Sequence, residues 1–597
     1  MTNRFLYITT LFLAIHFSIF SQSTESLGDA GTRFSPGDVE RVFVHTDRDI
    51  YISGEDLLFS VYLLDGKRPE TKQENRSLIA YIELIDINKV PVAQLRCRIN
   101  DGYGHGVLSI PDTIATGEYI FRAYTRYMRN YSPDIIFCKA LGINNPLSSK
   151  HSIASTEDEI KPQANKPVPA PTRSTNITYF DMPESNFKPR ETVTIKGRID
   201  PASFNKAGLT RMSVSIAVSS GSDNMHNMGE YLLRYKAGSV NSEYINGLTS
   251  LNNHFKESYG PYIEGSVISR DGLLPEPNTR LYLSIPGKSP YFQYSVTNEK
   301  GQFRFVLPPQ EGRLELILQA SDFSDKHIIK ISSPYADRSD NTGCGRFAID
   351  KKFLEFGSRL GVNYQVNKIF EISRKDIKQD TQSIKLPDSF YGNPDIQVIM
   401  DNYINLPTME EVFHELVPGV SLKKEGAGAV IVMSNILTGE KSSSPVKVFL
   451  DGVIMDNHSF IAGLDPELIE RIEIIKRDYQ YGNMIFKGIV SIVSREGDLC
   501  GIDYPNAGTR TAFEVLGQSY DYKNFIYSDT IPAEKYLPDF RSTIFWDPEI
   551  VPDKEGNFKF TFSTSDFISD YTITIQGITD IVEPIYLSCP ISITKEE

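Results

Sequence analysis

The side chains able to do chemistry are spread thinly along this chain. Its nine histidines are scattered, and no Cys-x-x-C or Cys/His cluster offers metal-ligand spacing. His45 and His414 fall inside patterned segments, where a packed or surface ring is expected rather than a base. The stretch DGYGHG (101–106) is rich in glycine, but its flanks read as strands, so a turn is expected there. Glu410 and Glu411 form a carboxylate pair at a helix first turn, where negative charge favours the dipole. No Gly-x-Ser-x-Gly, His-Glu-x-x-His or phosphate-binding Gly-rich loop occurs. No catalytic, cofactor-binding or metal-binding residue is therefore nominated, and the chain is expected not to be an enzyme.

The formal net charge of -14 comes without any Lys/Arg block, which argues against nucleic acid as a partner. Arg4, the apolar stretch Phe5 to Phe20 and a cut site at Ser21-Gln22 read as an export signal over residues 1–21. No cysteine lies near that cut to carry a lipid. No later run of about 18 apolar residues occurs, so no transmembrane helix is expected after signal removal. The five cysteines are Cys97, Cys138, Cys344, Cys500 and Cys589. Export permits disulfides. Cys97 and Cys138 share a candidate domain and could bridge, while an odd count leaves at least one thiol free or intermolecular. Buried free thiols fit the same residues.

The elements are mostly strands. VFV (42–44), LLFSVYL (57–63), IAYIELI (79–85) and YIFRAYT (119–125) suit a β-sandwich over 36–147. Residues 148–175 are polar and proline-rich and read as an extended linker. A second sandwich is expected over 176–258, and a third over 259–335, with Asn298–Gly301 as a hairpin connection. Residues 336–395 read as a connector with a helical stretch. From 396 to 498 the pattern turns to mixed α and β. Thr408 and Glu411 make a capping box, Pro418-Gly419 ends that helix, and GAVIVM and GIVSIVSR are strands. VFL (448–450) stops at the turn pair Asp451-Gly452, and Asp465 with Pro466 can open a second helix. Residues 499–597 return to strands. The fold class is mainly β: a string of sandwiches with one small α/β domain near the C-terminus.

Several segments resemble known families. RVFVHTDRDIYISGEDLLFSVYL (41–63) and TGEYIFRAYT (116–125) resemble the second macroglobulin domain of the alpha-2-macroglobulin family. Tyr51 can fill the sandwich edge and Gly54 suits a tight turn. STIFWDPEIVPDKEGNFKFTFSTSD (542–566), with Phe545, Trp546, Gly556 and Asp566, resembles that family's seventh macroglobulin domain. MEEVFHELVPGVSL (409–422), VKVFLDGVIM (446–455) and residues 464–495 resemble the plug of TonB-dependent receptors. Residues 262–320 resemble a carboxypeptidase regulatory-like sandwich.

These resemblances imply immunoglobulin-like, macroglobulin-like sandwiches carrying a plug-like domain, a combination similar to Bacteroidota envelope proteins. A receptor barrel needs about 22 strands of roughly 9 to 11 residues, and residues 499–597 read as a sandwich instead. The family thioester needs Gly-Cys-Gly-Glu-Gln, and here Arg346 and Phe347 follow Gly343-Cys344-Gly345, so no thioester is expected. The implied role is a non-catalytic exported scaffold or interaction module in the periplasm or at the outer membrane, on either side. It would present a barrel-less plug to an outer-membrane barrel or an associated lipoprotein. The alternative is a periplasmic or surface binding protein for a polymer or a protease. The residues nominated are structural: Gly54, Gly419, Asp451, Gly452 and Trp546.

Overall fold

The computed structural model describes residues 40–65, 76–131, 133–148, 151–152, 173–205, 210–219, 227–237, 254–289, 291–336, 344, 346–370, 389–426, 428–434, 446–501, 508–518, 522–527 and 537–595. The export signal, and most of the proline-rich linker, lie outside them. The chain is mainly β and divides into two compact units. A host unit holds Arg33–Pro261, Tyr335–Thr381 and Leu516–Glu597, and an inserted unit holds Tyr262–Pro334 and Gln382–Val515.

In the host unit, one sheet orders Glu40–Thr46, Asp56–Asp65 and Tyr103–Ser109. It faces a second sheet built on Phe137–Asn144, Thr116–Tyr124, Ile79–Ile85 and Pro91–Arg98. Phe43 and Phe59 of the first sheet meet Phe137 and Phe121 of the second at 5.5 and 6.2 Å between ring centres. The helix Lys351–Phe370 lies on this sandwich, because Gly357 and Gly361 let it approach Asn144 and Pro146 where a Cβ would collide.

The expected second and C-terminal sandwiches are one sandwich. Thr192–Ile199 pairs antiparallel with Asn557–Ser563, and Arg211–Val218 lies between Thr543–Ile550 and Asp570–Ile578. The alternation in TVTIKGRI turns Val193, Ile195 and Ile199 inward. Gly197 faces the Phe558 ring, which fills the space a side chain would take. Alternation in a strand says which face is buried, and it is silent about which distant strand covers that face.

The inserted unit repeats this plan. Gln302–Val306, Tyr262–Ser269 and His327–Ile331 form one sheet, and Tyr291–Val296, Arg280–Ile285, Gly312–Ala320 and Gly508–Leu516 form the other. The last of these strands was expected to belong to the C-terminal region. The Asn298–Gly301 turn exists, with Gly301 N–H donating to the Asn298 carbonyl at 2.9 Å. It does not close a hairpin, since its two strands lie in different sheets.

Between Ala320 and Gly508 the chain builds a five-stranded sheet in the order Ile396–Ile399, Ile469–Ile475, Ile489–Ser494, Lys447–Leu450, Val453–Met455. Two helices, Met409–Glu415 and His458–Ala462, cover one face. Thr408 caps the first through the Glu411 N–H at 3.2 Å. Asp465 and Pro466 open a single 3-10 turn rather than the expected helix.

The two apolar faces of this sheet divide with period two. Val448, Leu450, Ile474, Val490 and Ile492 join the core under the helices, whereas Phe449, Ile475 and Ile489 join an aromatic core shared with the sandwich strands.

Candidate functional site

Two buried aspartates anchor the segments that the sequence singled out. In the host unit, Asp47 takes the Tyr51 hydroxyl at 2.7 Å and the Leu58 N–H at 3.1 Å on one oxygen. Its other oxygen takes the Thr543 hydroxyl at 2.6 Å, with the Arg48 guanidinium at 3.4 Å. Arg48 pairs with Glu55 at 2.9 Å, and Glu55 also accepts the Ile52 N–H at 2.7 Å. Lys139 closes the group on Asp49 at 2.5 Å and on Thr46 at 2.7 Å. Gly54 sits at φ +89°, and its carbonyl accepts the Tyr364 hydroxyl of the docked helix at 2.7 Å. The charged motif is thus consumed in holding its own turn, the helix and the neighbouring sandwich.

Beside it lies an arrangement that looks like a nucleophile and its base. His45 Nδ1 is 2.7 Å from Ser213 Oγ, which is 2.8 Å from the Tyr62 hydroxyl. His45 is 4% exposed and Ser213 not at all, so substrate has no approach to this pair. Burial holds the imidazole well below its ordinary value, and Lys139 pushes the same way. Trp546, 2% exposed, packs its ring 5.3 Å from that of His45. Ser215 donates to the Asp47 carbonyl at 2.5 Å, and Ser60 and Tyr103 both donate to the Pro548 carbonyl. These bonds dock the first sandwich on the second.

In the inserted unit, Asp451 and Gly452 both stand in the left-handed region, at φ +48° and +86°, as a two-residue hairpin requires. Asp451 is fully buried. Its carboxylate accepts Ser494 N–H at 2.7 Å, Ser494 O–H at 2.6 Å and Leu499 N–H at 2.8 Å. Burial pushes its carboxyl up, and these donors pull it back. The adjacent Cys500 thiol is pushed up to about 12 by burial, then by Asp451 and Asp498, so it stays a thiol. Gly419, at φ +81°, turns the chain out of the first helix into the Val420–Glu425 strand. His458 is buried and accepts the Ile431 N–H at 3.0 Å, whereas His414 is on the surface beside Glu415.

The cysteines keep the expected free thiols but not the possible Cys97–Cys138 bridge. Cys138 bridges Cys344, with Cα atoms 5.6 Å apart, and Cys97 is a buried free thiol. The strands of Cys97 and Cys138 are three positions apart in their sheet. At about 4.8 Å per step that is roughly 14 Å, beyond any disulfide. Cys344 of the Gly-Cys-Gly segment is therefore a clasp for the helical connector.

One edge of the five-stranded sheet is open to solvent. Ile399, Tyr403, Ile404 and Leu468 are 39, 47, 81 and 43% exposed. Arg495 binds Asp401 at 2.6 Å and the Glu467 carbonyl at 2.7 Å, which ties these residues into one patch. The sheet face on the sandwich side is occupied: Phe292 of the sandwich meets Phe390, Phe449, Tyr481 and Phe486. No sequence signal marked this patch, because its residues come from a strand end, a 3-10 turn and a loop, which share no periodicity. Among the described residues no group of three His, Cys, Asp or Glu could hold a metal ion, and no helix is long and apolar enough to cross a membrane.

No family model and no curated protein matches this chain. Among solved structures it is similar to Salmonella alpha-2-macroglobulin reacted with methylamine, at 8% identity over 94% of this chain and 40% of that one, TM-score 0.22. It is also similar to Escherichia coli alpha-2-macroglobulin in its native conformation, at 8% identity, 94% and 40% coverage and TM-score 0.23. The same protein activated by porcine elastase gives 10% identity, 93% and 44% coverage and TM-score 0.22. The chain spans about two fifths of the length of these proteins.

Proposed function

We propose that this chain is a non-catalytic exported scaffold that presents its α/β module to a protein partner in the cell envelope. The reading rests on one observation: the module buries one sheet face on its own sandwich and leaves an apolar edge, Ile399, Tyr403, Ile404 and Leu468, in solvent. Clustered exposed apolar residues are the usual mark of a protein-binding surface. The conspicuous charged groups, Asp47, Glu55, Lys139 and Asp451, are spent on structure, which supports a non-catalytic role.

The partner class follows from the plug resemblance: an outer-membrane barrel or a lipoprotein associated with one. A module held by a sandwich strand on each side in sequence, and stacked on aromatics, would dock beside a barrel and not fill its lumen. The test places a photo-crosslinking residue at Tyr403 and, as a control, at Lys351 on the host-unit helix. A discrete envelope protein captured from Tyr403 alone supports the reading. Capture from neither position, with the protein recovered alone in the soluble fraction, overturns it.

A further inference from the structure

We infer that the docking of the two sandwiches in the host unit is an acid-sensitive latch, with His45 as its trigger. The imidazole sits where the sheet carrying Glu40–Thr46 meets the sheet carrying Arg211–Val218 and Thr543–Ile550. Nδ1 has a partner, Ser213 Oγ, but Nε2 is buried with no hydrogen-bond partner among the described residues. A neutral ring tolerates this. A charged ring does not, since burying an unpaired charge costs far more than burying a neutral polar group.

The surroundings offer the cation little. From Asp56–Asp65 comes the Tyr62 hydroxyl, which is engaged with Ser213 and the Gln576 carbonyl. From Phe137–Asn144 comes Lys139, a like charge. The nearby carboxylates are committed elsewhere, Asp47 to Tyr51, Leu58 and Thr543, and Asp49 to Lys139. On Thr116–Tyr124, Glu118 serves the Phe347 N–H and Arg122 serves Glu83. Trp546 supplies a ring face, and Asp547 and Glu549 of its strand act on Tyr62.

The sign follows. The open state takes up a proton near the ordinary imidazole value of about 6.5, and the docked state does so only at lower pH. Docking is therefore fully supported above that value and is lost progressively as pH falls below it.

Trp546 is the chain's single tryptophan and reports on this contact directly. In the full-length protein, acrylamide quenching of its emission is expected to rise severalfold between about pH 7.5 and about pH 5, with far-UV circular dichroism unchanged. His45→Gln, which cannot charge, is expected to abolish that rise. An unchanged wild-type signal, or the same rise in His45→Gln, overturns the proposal. Should His45→Gln not fold, hydrogen exchange of the wild type decides. Strands Glu40–Thr46 and Arg211–Val218 must lose protection together in acid, ahead of Thr192–Ile199, and equal loss in all three overturns it. The same exchange map separates any response of His458, which lies in the other unit.

Discussion

Asp47 and Asp451 are both buried, both belong to turn segments, and each carboxylate satisfies several donors, yet they hold very different lengths of chain. The donors to Asp451 lie at Ser494 and Leu499, inside the same module. Those to Asp47 run from Tyr51, four residues away, to Thr543, 496 residues away. Asp47 also has a cation, Arg48, beside it, whereas the carboxyl of Asp451 is set by burial against neutral donors. One fastens a hairpin within a module; the other fastens two sandwiches whose strands come from opposite ends of the sequence. A buried aspartate therefore says little about scale until its donors are known.

Removing each carboxylate separates the two roles and should give the largest effects. Asp47→Ala and Asp451→Ala each leave buried donors unpaired, a loss of about 3–5 kcal/mol. Hydrogen exchange resolved by segment is the measurement. Asp47→Ala is expected to raise exchange in both host sandwiches, and Asp451→Ala only in the inserted unit. Equal loosening of both units by either variant would break the comparison.

The Cys138–Cys344 bridge is next. It closes 206 residues of sequence and ties the segment before the Lys351–Phe370 helix to the first sandwich. Cys138→Ser with Cys344→Ser should cost the host unit about 2–4 kcal/mol. The helix and strand Phe137–Asn144 should lose protection while the Asp451 hairpin keeps its own. A helix that stays protected would mean that its glycine contacts and the Tyr364 hydrogen bond suffice.

These two locks were unequally legible in the sequence. The Asp451-Gly452 pair announces a turn by composition, and Thr408 announces a helix start. Both are local, set by φ and by side chains within a few residues. The donors to Asp47 could not be read that way. Nor could the pairing of Thr192–Ile199 with Asn557–Ser563, because period-two alternation fixes a buried face but names no partner strand. For the same reason the sequence reads one interleaved sandwich as two, and it offers Cys97 as a possible mate for Cys138 without pointing to Cys344. The Asn298–Gly301 turn shows the limit most simply: the bend is written in Asn and Gly, but whether the next strand stays in the sheet depends on distant packing.

Gly452→Val should cost about 1–3 kcal/mol, since a β-branched residue resists the left-handed backbone that Gly452 adopts at φ +86°. The loss should be confined to the inserted unit, and a chemical denaturation midpoint followed by exchange at strands Lys447–Leu450 and Val453–Met455 checks it. The effect should fall below that of Asp451→Ala, because the variant keeps the carboxylate and its three donors. If Gly452→Val were the more damaging of the two, the backbone and not the carboxylate would be the main lock of this turn.

The smallest stability effect is expected at Ile404, and it sharpens the contrast most usefully for function. This side chain is 81% exposed, so Ile404→Asp should change stability by no more than about 0.5 kcal/mol in either direction. It nonetheless places a charge in the middle of the apolar edge formed with Ile399, Tyr403 and Leu468. If that edge is where a partner docks, capture from a photo-crosslinker at Tyr403 should fall sharply while exchange across both units stays unchanged. Asp47→Ala should show the reverse, a loosened host unit with capture retained, because the edge belongs to the inserted unit. Undiminished capture by Ile404→Asp would move the partner off this edge and leave the module as one more structural domain.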